Sequence, residues 1–131
     1  MGNINSIRKY NFEQMQCISN TTIINTLPNV NQNCLIVNTV QHIDEEDIIN
    51  RLLKTNKKAA IIVYGMNCND ESIYKKYNQL QDLGFENIGV YVGGMFEWLL
   101  LQDVYGEELF PTTSKELDIL KFNRPTRLLL K

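Results

Sequence analysis

The sequence predicts a single α/β domain in which helices flank a central parallel sheet. Two short apolar runs, 59–64 (AAIIVY) and 87–92 (NIGVYV), are typical of strands that are covered on both faces. Amphipathic helical patterns precede the first run and separate it from the second, and such alternation favours a parallel sheet. The chain has 131 residues, of which 44% are hydrophobic, and this suits one domain with a core.

The N-terminal part of the chain is less regular. Residues 1–10 are mainly polar and predict a flexible segment, so that the domain itself would span 11–131. A short helix is expected over 11–19. Residues 22–27 (TIINTL) predict a strand that ends at Pro28, and 34–40 (CLIVNTV) form a further apolar run of strand length.

Two longer helices follow. The first begins at Asp44, with acids at 45–47 and lysines gathered near 54–58, a charge order that suits the helix dipole. The second runs from the loop at 65–70 to Leu83, and Gly84 predicts its end. Both carry an apolar stripe at helical spacing, formed by Ile48, Ile49, Leu52 and Leu53 in one and by Ile73, Tyr77, Leu80 and Leu83 in the other.

The C-terminal third predicts two more helices. Gly93 and Gly94 predict a turn after the strand 87–92, and a short helix is expected over 95–101. Thr113 and Glu116 have the spacing of a capping box, which predicts a helix over 114–120. In that helix Leu117 and Leu120 would pack against the sheet. The basic and apolar residues beyond it suggest a closing strand or tail end, and less strongly a partner or membrane contact: Arg124, Arg127, Lys131 and 128–130.

Composition argues against several functions. The net charge is −2 with acids and bases mixed, so nucleic acid is not expected as a partner. Cys17, Cys34 and Cys68 are far apart, which predicts no zinc site, no dithiol centre and no cofactor. The acids at 44–47 lack the spacing of a calcium loop, and the lone His42 is interpreted as a surface residue. No apolar run is long enough to span a bilayer, so we expect a cytoplasmic protein.

Residues 59–98 resemble the C-terminal half of rhodanese-like domains. A strand ending in IIVY, a short loop and a helix are followed by LGFENIGVYVGGMFEW, in which three pairs are similar to that family: Gly84-Phe85, Gly93-Gly94 and Glu97-Trp98. The N-terminal half lacks the family's usual acidic-Arg and Gly-His-Ile signatures and fits only as strands. The resemblance implies a rhodanese-like three-layer domain with a C-terminal extension.

The same resemblance implies that a catalytic cysteine should directly follow the strand, where backbone N–H groups would hold it as thiolate or persulfide. This position is Gly65, which cannot be a nucleophile. Related loops tend to carry Arg or Lys near their end, whereas this one carries Asp70 and Glu71, which would repel anionic substrates. We therefore expect an inactive domain that serves as a protein-interaction or regulatory module for an unidentified protein partner. Its active-site-like loop comprises Gly65, Met66, Asn67, Cys68, Asn69, Asp70 and Glu71.

Cys68 supports an alternative. It lies three residues after Gly65, near a helix N-terminus where the pKa of a thiol can fall, although neighbouring acids would raise it. The chain could then be a thiosulfate sulfurtransferase or a related thiol enzyme with Cys68 as nucleophile. A third hypothesis is that Asp70 and Glu71 bind a cation or a neutral molecule.

The first residues match the acceptor pattern for N-myristoylation. Gly2 follows the initiator methionine, and Ser6 occupies the preferred position. One myristoyl chain binds membranes reversibly, with an association constant on the order of 10⁴ M⁻¹. Arg8 and Lys9 could each add about 1 kcal/mol on an anionic leaflet. If the protein is made in a eukaryotic cytosol, the pattern predicts reversible contact with the cytosolic face of a membrane.

Overall fold

Four parallel strands form the central sheet of the computed structural model, which describes residues 7–123. They are β1 (Arg8–Tyr10), β2 (Thr21–Asn25), β3 (Ala60–Tyr64) and β4 (Ile88–Tyr91), in the order β1-β4-β3-β2. The helices are α1 (Phe12–Cys17), α2 (Glu45–Thr55), α3 (Ser72–Leu83) and α4 (Gly94–Tyr105), with 3₁₀ turns at Asn29–Asn31 and Ile119–Asn123.

The three-layer α/β arrangement that the sequence predicts is confirmed, because each face of the sheet is covered by its own apolar cluster. Successive residues of β3 point to opposite faces, so that Ile62 and Tyr64 belong to one cluster and Ile61 and Val63 to the other. The first cluster joins the sheet to α1, α4 and the C-terminal 3₁₀ turn. The second joins it to α2 and α3. Burial on both faces explains why β3 and β4 are uninterrupted apolar runs.

Several predicted helix ends are also confirmed. At the start of α1, the Asn11 side chain accepts a hydrogen bond from the Gln14 N–H, and the Gln14 side chain accepts one from the Asn11 N–H. At the end of α3, Gly84 adopts a left-handed conformation with φ of 111°, as the sequence predicts. The loop at 65–71 lies between the end of β3 and the start of α3.

The strand predicted over 34–40 is wrong. This segment makes only isolated bridges, between Ile36 and Thr112 and between Thr39 and Ile23. Asn38 has a φ of 74°, which breaks an extended backbone, and the Ile36 N–H donates to the Tyr64 hydroxyl rather than to a neighbouring strand. The run is apolar because Leu35 and Ile36 are buried in a loop, not because it belongs to the sheet.

The N-terminal boundary also differs from the prediction of flexibility through residue 10. Residues 8–10 form the edge strand β1, and Ile7 is buried. This strand pairs with β4 across Gly89, where a Cβ atom would lie 2.8 Å from Cδ1 of Tyr10. Charged side chains are common on edge strands, so the composition of this segment concealed its structure. Gly2 and the rest of 1–6 lie outside the described residues.

The helix predicted over 114–120 is absent from the structure. The Thr113 hydroxyl accepts a hydrogen bond from the Leu35 N–H instead of capping a helix, and Glu116 forms an ion pair with Lys121. Only a 3₁₀ turn forms, at Ile119–Asn123. It buries Phe122 completely, whereas the predicted core residues Leu117 and Leu120 are 82% and 64% exposed. Arg124, Arg127, Lys131 and 128–130 lie outside the described residues.

The C-terminal 3₁₀ turn should therefore contribute to stability through Phe122 and not through Leu120. We expect Phe122→Ala to lower the free energy of unfolding by about 3–5 kcal/mol, because it leaves a cavity in a packed core. Leu120→Ala should change it by less than about 0.5 kcal/mol, since the side chain is mostly exposed. Urea unfolding followed by circular dichroism measures both. Equal effects of the two substitutions would contradict this packing.

Candidate active-site-like loop

Residues 65–71 lie at the carboxyl edge of the parallel sheet, which is where ligands of open α/β folds usually bind. Gly65 directly follows β3, and Ser72 is the first residue of α3. Within the loop, Gly65 and Asn67 are buried, Met66 and Asp70 are half-buried, and the other three residues are exposed: Cys68, Asn69 and Glu71. The surface of the loop thus carries the thiol of Cys68, whereas Gly65 and Asn67 lie in its interior.

The carboxylate of Asp70 occupies the interior of this loop. Its Oδ2 atom accepts a hydrogen bond of 2.8 Å from the Met66 N–H. Its Oδ1 atom accepts two from Ser72, of 2.9 Å from the N–H and 2.6 Å from the hydroxyl. Backbone N–H groups from a loop and from the first turn of a helix are the usual donors of protein anion sites. Here they converge on an anion that belongs to the chain itself.

Gly65 is required by the close approach of this carboxylate. A Cβ atom at position 65 would lie 2.9 Å from Cγ of Asp70 and 3.0 Å from Cγ2 of Ile73, both too close for an ordinary contact. Gly65 is not among the described residues with positive φ, so the requirement for glycine here comes from the available space and not from backbone conformation. The space that any side chain at position 65 would enter is filled by Asp70.

The first turn of α4 closes the other side of the loop. The Met95 N–H donates to the carbonyl of Gly65 at 2.9 Å, and the Phe96 N–H donates to the carbonyl of Met66 at 2.8 Å. Gly94, at φ of 69°, makes this contact possible, because a Cβ atom there would lie 2.8 Å from the Gly65 carbonyl oxygen. The free N–H groups of the helix N-terminus are thus used by the loop's own backbone.

Asn67 anchors the loop to the C-terminal part of the chain. Its side-chain nitrogen donates to the carbonyl of Phe122 at 2.6 Å, and its side-chain oxygen accepts from the Asn69 N–H at 2.8 Å. The loop is therefore fixed by a residue 55 positions away in sequence. Sequence reasoning included Asn67 in the loop but gave no indication of this partner.

Two neighbours of the loop, Thr26 and Ser72, were not predicted from the sequence. Their hydroxyl oxygens lie 2.6 Å apart, and the Ser72 hydroxyl donates a hydrogen bond to Oδ1 of Asp70. The sequence did contain a signal for Ser72. In an Asx turn, the side chain of an aspartate accepts a hydrogen bond from the backbone N–H two residues later, and Ser72 is two residues after Asp70. Thr26 follows β2, and only the parallel pairing of β2 with β3 brings it to the loop.

Cys68 is exposed, and the N–H groups that converge inside the loop, from Met66 and Ser72, bind Asp70 instead. Glu71 is exposed at the start of α3, and its side chain makes no capping hydrogen bond there. Cys34 is buried, its thiol donates to the carbonyl of Ser114, and burial raises its pKa. Within residues 7–123, no group of three or more potential ligands could hold a metal ion.

Two buried tyrosines fix the strand ends beneath the loop. The hydroxyl of Tyr64 accepts from the Ile36 N–H at 3.1 Å and lies 2.9 Å from the Thr39 hydroxyl. The hydroxyl of Tyr91 donates to Glu97 at 2.7 Å. Burial raises the pKa of both phenols, and for Tyr91 the adjacent carboxylate raises the pKa further. Both therefore act as neutral hydrogen-bonding groups.

A shallow groove of about 600 Å³ lies beside the loop, between α3 and the start of α2. Thr26, Ser72, His42 and Lys75 contribute to its walls. His42 is exposed, as the sequence predicts, and Glu45 in the same wall pairs with Lys76 at 2.6 Å. The groove carries groups of both charges and has no buried unpaired polar atom among the described side chains.

A family model described as the rhodanese-like domain matches residues 12–101, which is well over half of the chain. The chain belongs to the rhodanese-like domain family. No curated protein matches the sequence. The fold and the family predicted from the sequence are thus confirmed.

Solved structures show the same fold. A Rhodanese_3-like domain of the Alr3790 protein from Anabaena sp. is 26% identical, with a TM-score of 0.50 over 72% of this chain and 99% of that one. A second structure of the Alr3790 protein has 20% identity and a TM-score of 0.58 over 88% of this chain and all of the other. The solution structure of the rhodanese-like domain of Alr3790, at 20% identity, has a TM-score of 0.56 over 82% of this chain and 87% of that one.

The fit of Gly65 to Asp70 predicts a strong energetic coupling between the two positions. We expect Gly65→Ala to destabilise the fold by about 1–3 kcal/mol through overpacking and Asp70→Ala to do so by about 1–3 kcal/mol through unpaired N–H groups. The double substitution should destabilise the fold by less than the sum of the two single substitutions, and the difference should be at least about 1 kcal/mol. The reason is that removal of the Asp70 carboxylate makes room for the added methyl group. Urea unfolding of the four proteins measures this coupling.

The matched control combines Gly65→Ala with Asp82→Ala, because Asp82 is exposed near the far end of α3. This second pair should be additive to within about 0.5 kcal/mol. Additivity of the Gly65 and Asp70 substitutions would show that the carboxylate does not fill the space beside Gly65.

Proposed function

We propose that this rhodanese-like domain does not transfer sulfur and instead serves as a protein-interaction or regulatory module. The observation that carries the proposal is the carboxylate of Asp70 on the N–H groups of Met66 and Ser72. Those donors would be needed to hold a thiolate, a persulfide or an anionic substrate. Because an internal carboxylate uses them, the loop has a structural task in place of a catalytic one.

Electrostatics supports the same proposal. Two like unit charges 4 Å apart repel by roughly 4 kcal/mol at the effective dielectric constant of a protein surface. Thiosulfate at this loop would have to approach Asp70, with Glu71 as a second carboxylate beside it. Gly65, at the position where the family resemblance expects the nucleophile, offers no sulfur to react with.

The alternative function is a thiosulfate sulfurtransferase or a related thiol enzyme that uses Cys68. Its support is that Cys68 is exposed and lies in the same loop. Against it, the loop's inward N–H groups already bind Asp70, so they do not stabilise a Cys68 thiolate. Binding of a cation through Asp70 and Glu71 is weakened in the same way, since both oxygens of Asp70 already accept hydrogen bonds.

Incubation with thiosulfate followed by intact-mass spectrometry tests the proposal. We expect the protein to gain no sulfur, while an active rhodanese treated in parallel gains one sulfur atom. A gain in this protein that disappears in Cys68→Ser would overturn the proposal and identify Cys68 as the nucleophile. Cys17→Ser is the matched control, because Cys17 is exposed but lies in α1, outside the loop.

We further propose that Gly2 is N-myristoylated when the protein is made in a eukaryotic cytosol. The support is the Gly2 and Ser6 pattern in the sequence. Arg8 and Lys9 are exposed in β1, although Arg8 also donates to the side chain of Asn87 at 2.8 Å. None of the helices in 7–123 has the length and apolarity to cross a membrane. A lipid anchor at Gly2 would give reversible contact at the cytosolic face of the membrane.

Metabolic labelling with an alkyne-tagged myristate in eukaryotic cells tests this second proposal. We expect label on the native chain and none on Gly2→Ala, because the acyl chain is linked to the amine of Gly2 after methionine removal. Asn3→Ala, which keeps Gly2 and Ser6, is the matched control and should remain labelled. An unlabelled native chain would rule the modification out in that cell.

A further inference from the structure

Helix α4 is apolar on nearly all sides. Its sequence, GMFEWLLLQDVY, places Met95, Trp98 and Leu99 in the core against the sheet. A helix that is hydrophobic all round is normally covered all round. In this protein the sheet, α1 and the C-terminal 3₁₀ turn cover only part of α4, which leaves apolar side chains of the same helix in solvent.

The exposed apolar residues of this region lie toward the C-terminal end of α4. Leu100 is 42% exposed, Val104 is 70% exposed, and their spacing of four residues puts them on one side of the helix. Tyr105, at 61%, is the last residue of the helix, and Leu109, at 55%, follows in the next segment. We call these four residues the α4 face.

The charge around the α4 face is mainly negative, although Lys115 lines the same cavity as Asp103 and Glu107. Between Gly94 and Phe110 there are four acids and no lysine or arginine: Glu97, Asp103, Glu107 and Glu108. The last three are exposed. An apolar surface with a polar rim is typical of a protein-binding site, and a partner that complements a mainly acidic rim carries positive charge. An anionic membrane surface is disfavoured here, because the same acids would be repelled by it.

We propose that the α4 face binds a segment of another protein in which leucine or aromatic side chains recur at helical spacing among lysines or arginines. The apolar side chains of this segment cover Leu100 and Val104, and its cations pair with Asp103, Glu107 and Glu108. The inference rests on the proposed function, because a domain without a nucleophile acts by contact. It names the contact surface and the chemistry of the partner.

The probe is a fluorescein-labelled twelve-residue peptide of leucine and lysine at helical spacing, titrated with the full chain and followed by fluorescence anisotropy. We expect Leu100→Ser combined with Val104→Ser to weaken binding at least about tenfold, since buried apolar anchors dominate such interfaces. Glu107→Lys combined with Glu108→Lys should weaken it by about the same factor at low salt. A peptide with serine in place of leucine should not bind.

Matched controls exist for both pairs. Val30 and Ile43 are 81% and 76% exposed and lie outside α4, and their double substitution by serine should leave the affinity unchanged. Asp82→Lys with Glu86→Lys reverses two exposed acids elsewhere and should have an effect below about twofold. Equal loss of binding in the α4 variants and in these controls would overturn the inference, because it would indicate non-specific attraction.

The chain's own residues 124–131, RPTRLLLK, have the same basic and apolar composition. A variant that ends at residue 123 distinguishes binding of another protein from binding of the chain's own C-terminal segment. We expect it to bind the peptide as the full chain does. Binding only by the shortened variant would overturn the inference and identify the chain's own segment as the occupant. Sulfur gain in the thiosulfate experiment with intact peptide binding would refute the proposed function while leaving the α4 face as a docking surface.

Discussion

The pairing of the Asp70 carboxylate with the N–H groups of Met66 and Ser72 is the interaction on which the rest of the loop depends. It closes the loop on itself, and it requires glycine at position 65, because the carboxylate fills the space of a side chain. On the other side of the loop, the carbonyls of Gly65 and Met66 accept hydrogen bonds from the start of α4, where Gly94 permits the contact. The loop is thus bound to the first turns of both α3 and α4.

Contacts between distant parts of the chain also fix the loop. Asn67 connects it to Phe122 in the C-terminal 3₁₀ turn, and the hydroxyl of Tyr64, the residue before the loop, accepts a hydrogen bond from the Ile36 N–H. These contacts join parts of the chain that are far apart in sequence. A surface that is already ordered in this way loses less conformational entropy when it binds another molecule.

The elements that could be predicted from sequence are those whose structure depends on local pattern. The strands β3 and β4 are buried on both faces, and α3 ends at a left-handed glycine, so their signals are strong. The predictions for 34–40 and 114–120 were wrong, because the Ile36 N–H donates to the Tyr64 hydroxyl and the Thr113 hydroxyl accepts from the Leu35 N–H instead of capping a helix. The loop's position was predictable. The role of Asp70 as the loop's internal anion was not, since it depends on three-dimensional convergence with Ser72.

The most direct test of the account is a thiosulfate titration of ¹⁵N-labelled protein, observed at the amide signals of Met66 and Ser72. The native chain should show no saturable shift at these two amides, because Asp70 already binds them. Asp70→Gly should show saturable shifts at both, since the freed N–H groups form an anion site, whereas the control Glu71→Gln should behave like the native chain. Saturable binding to the native loop would contradict the account, and so would an Asp70→Gly protein that is folded but does not respond.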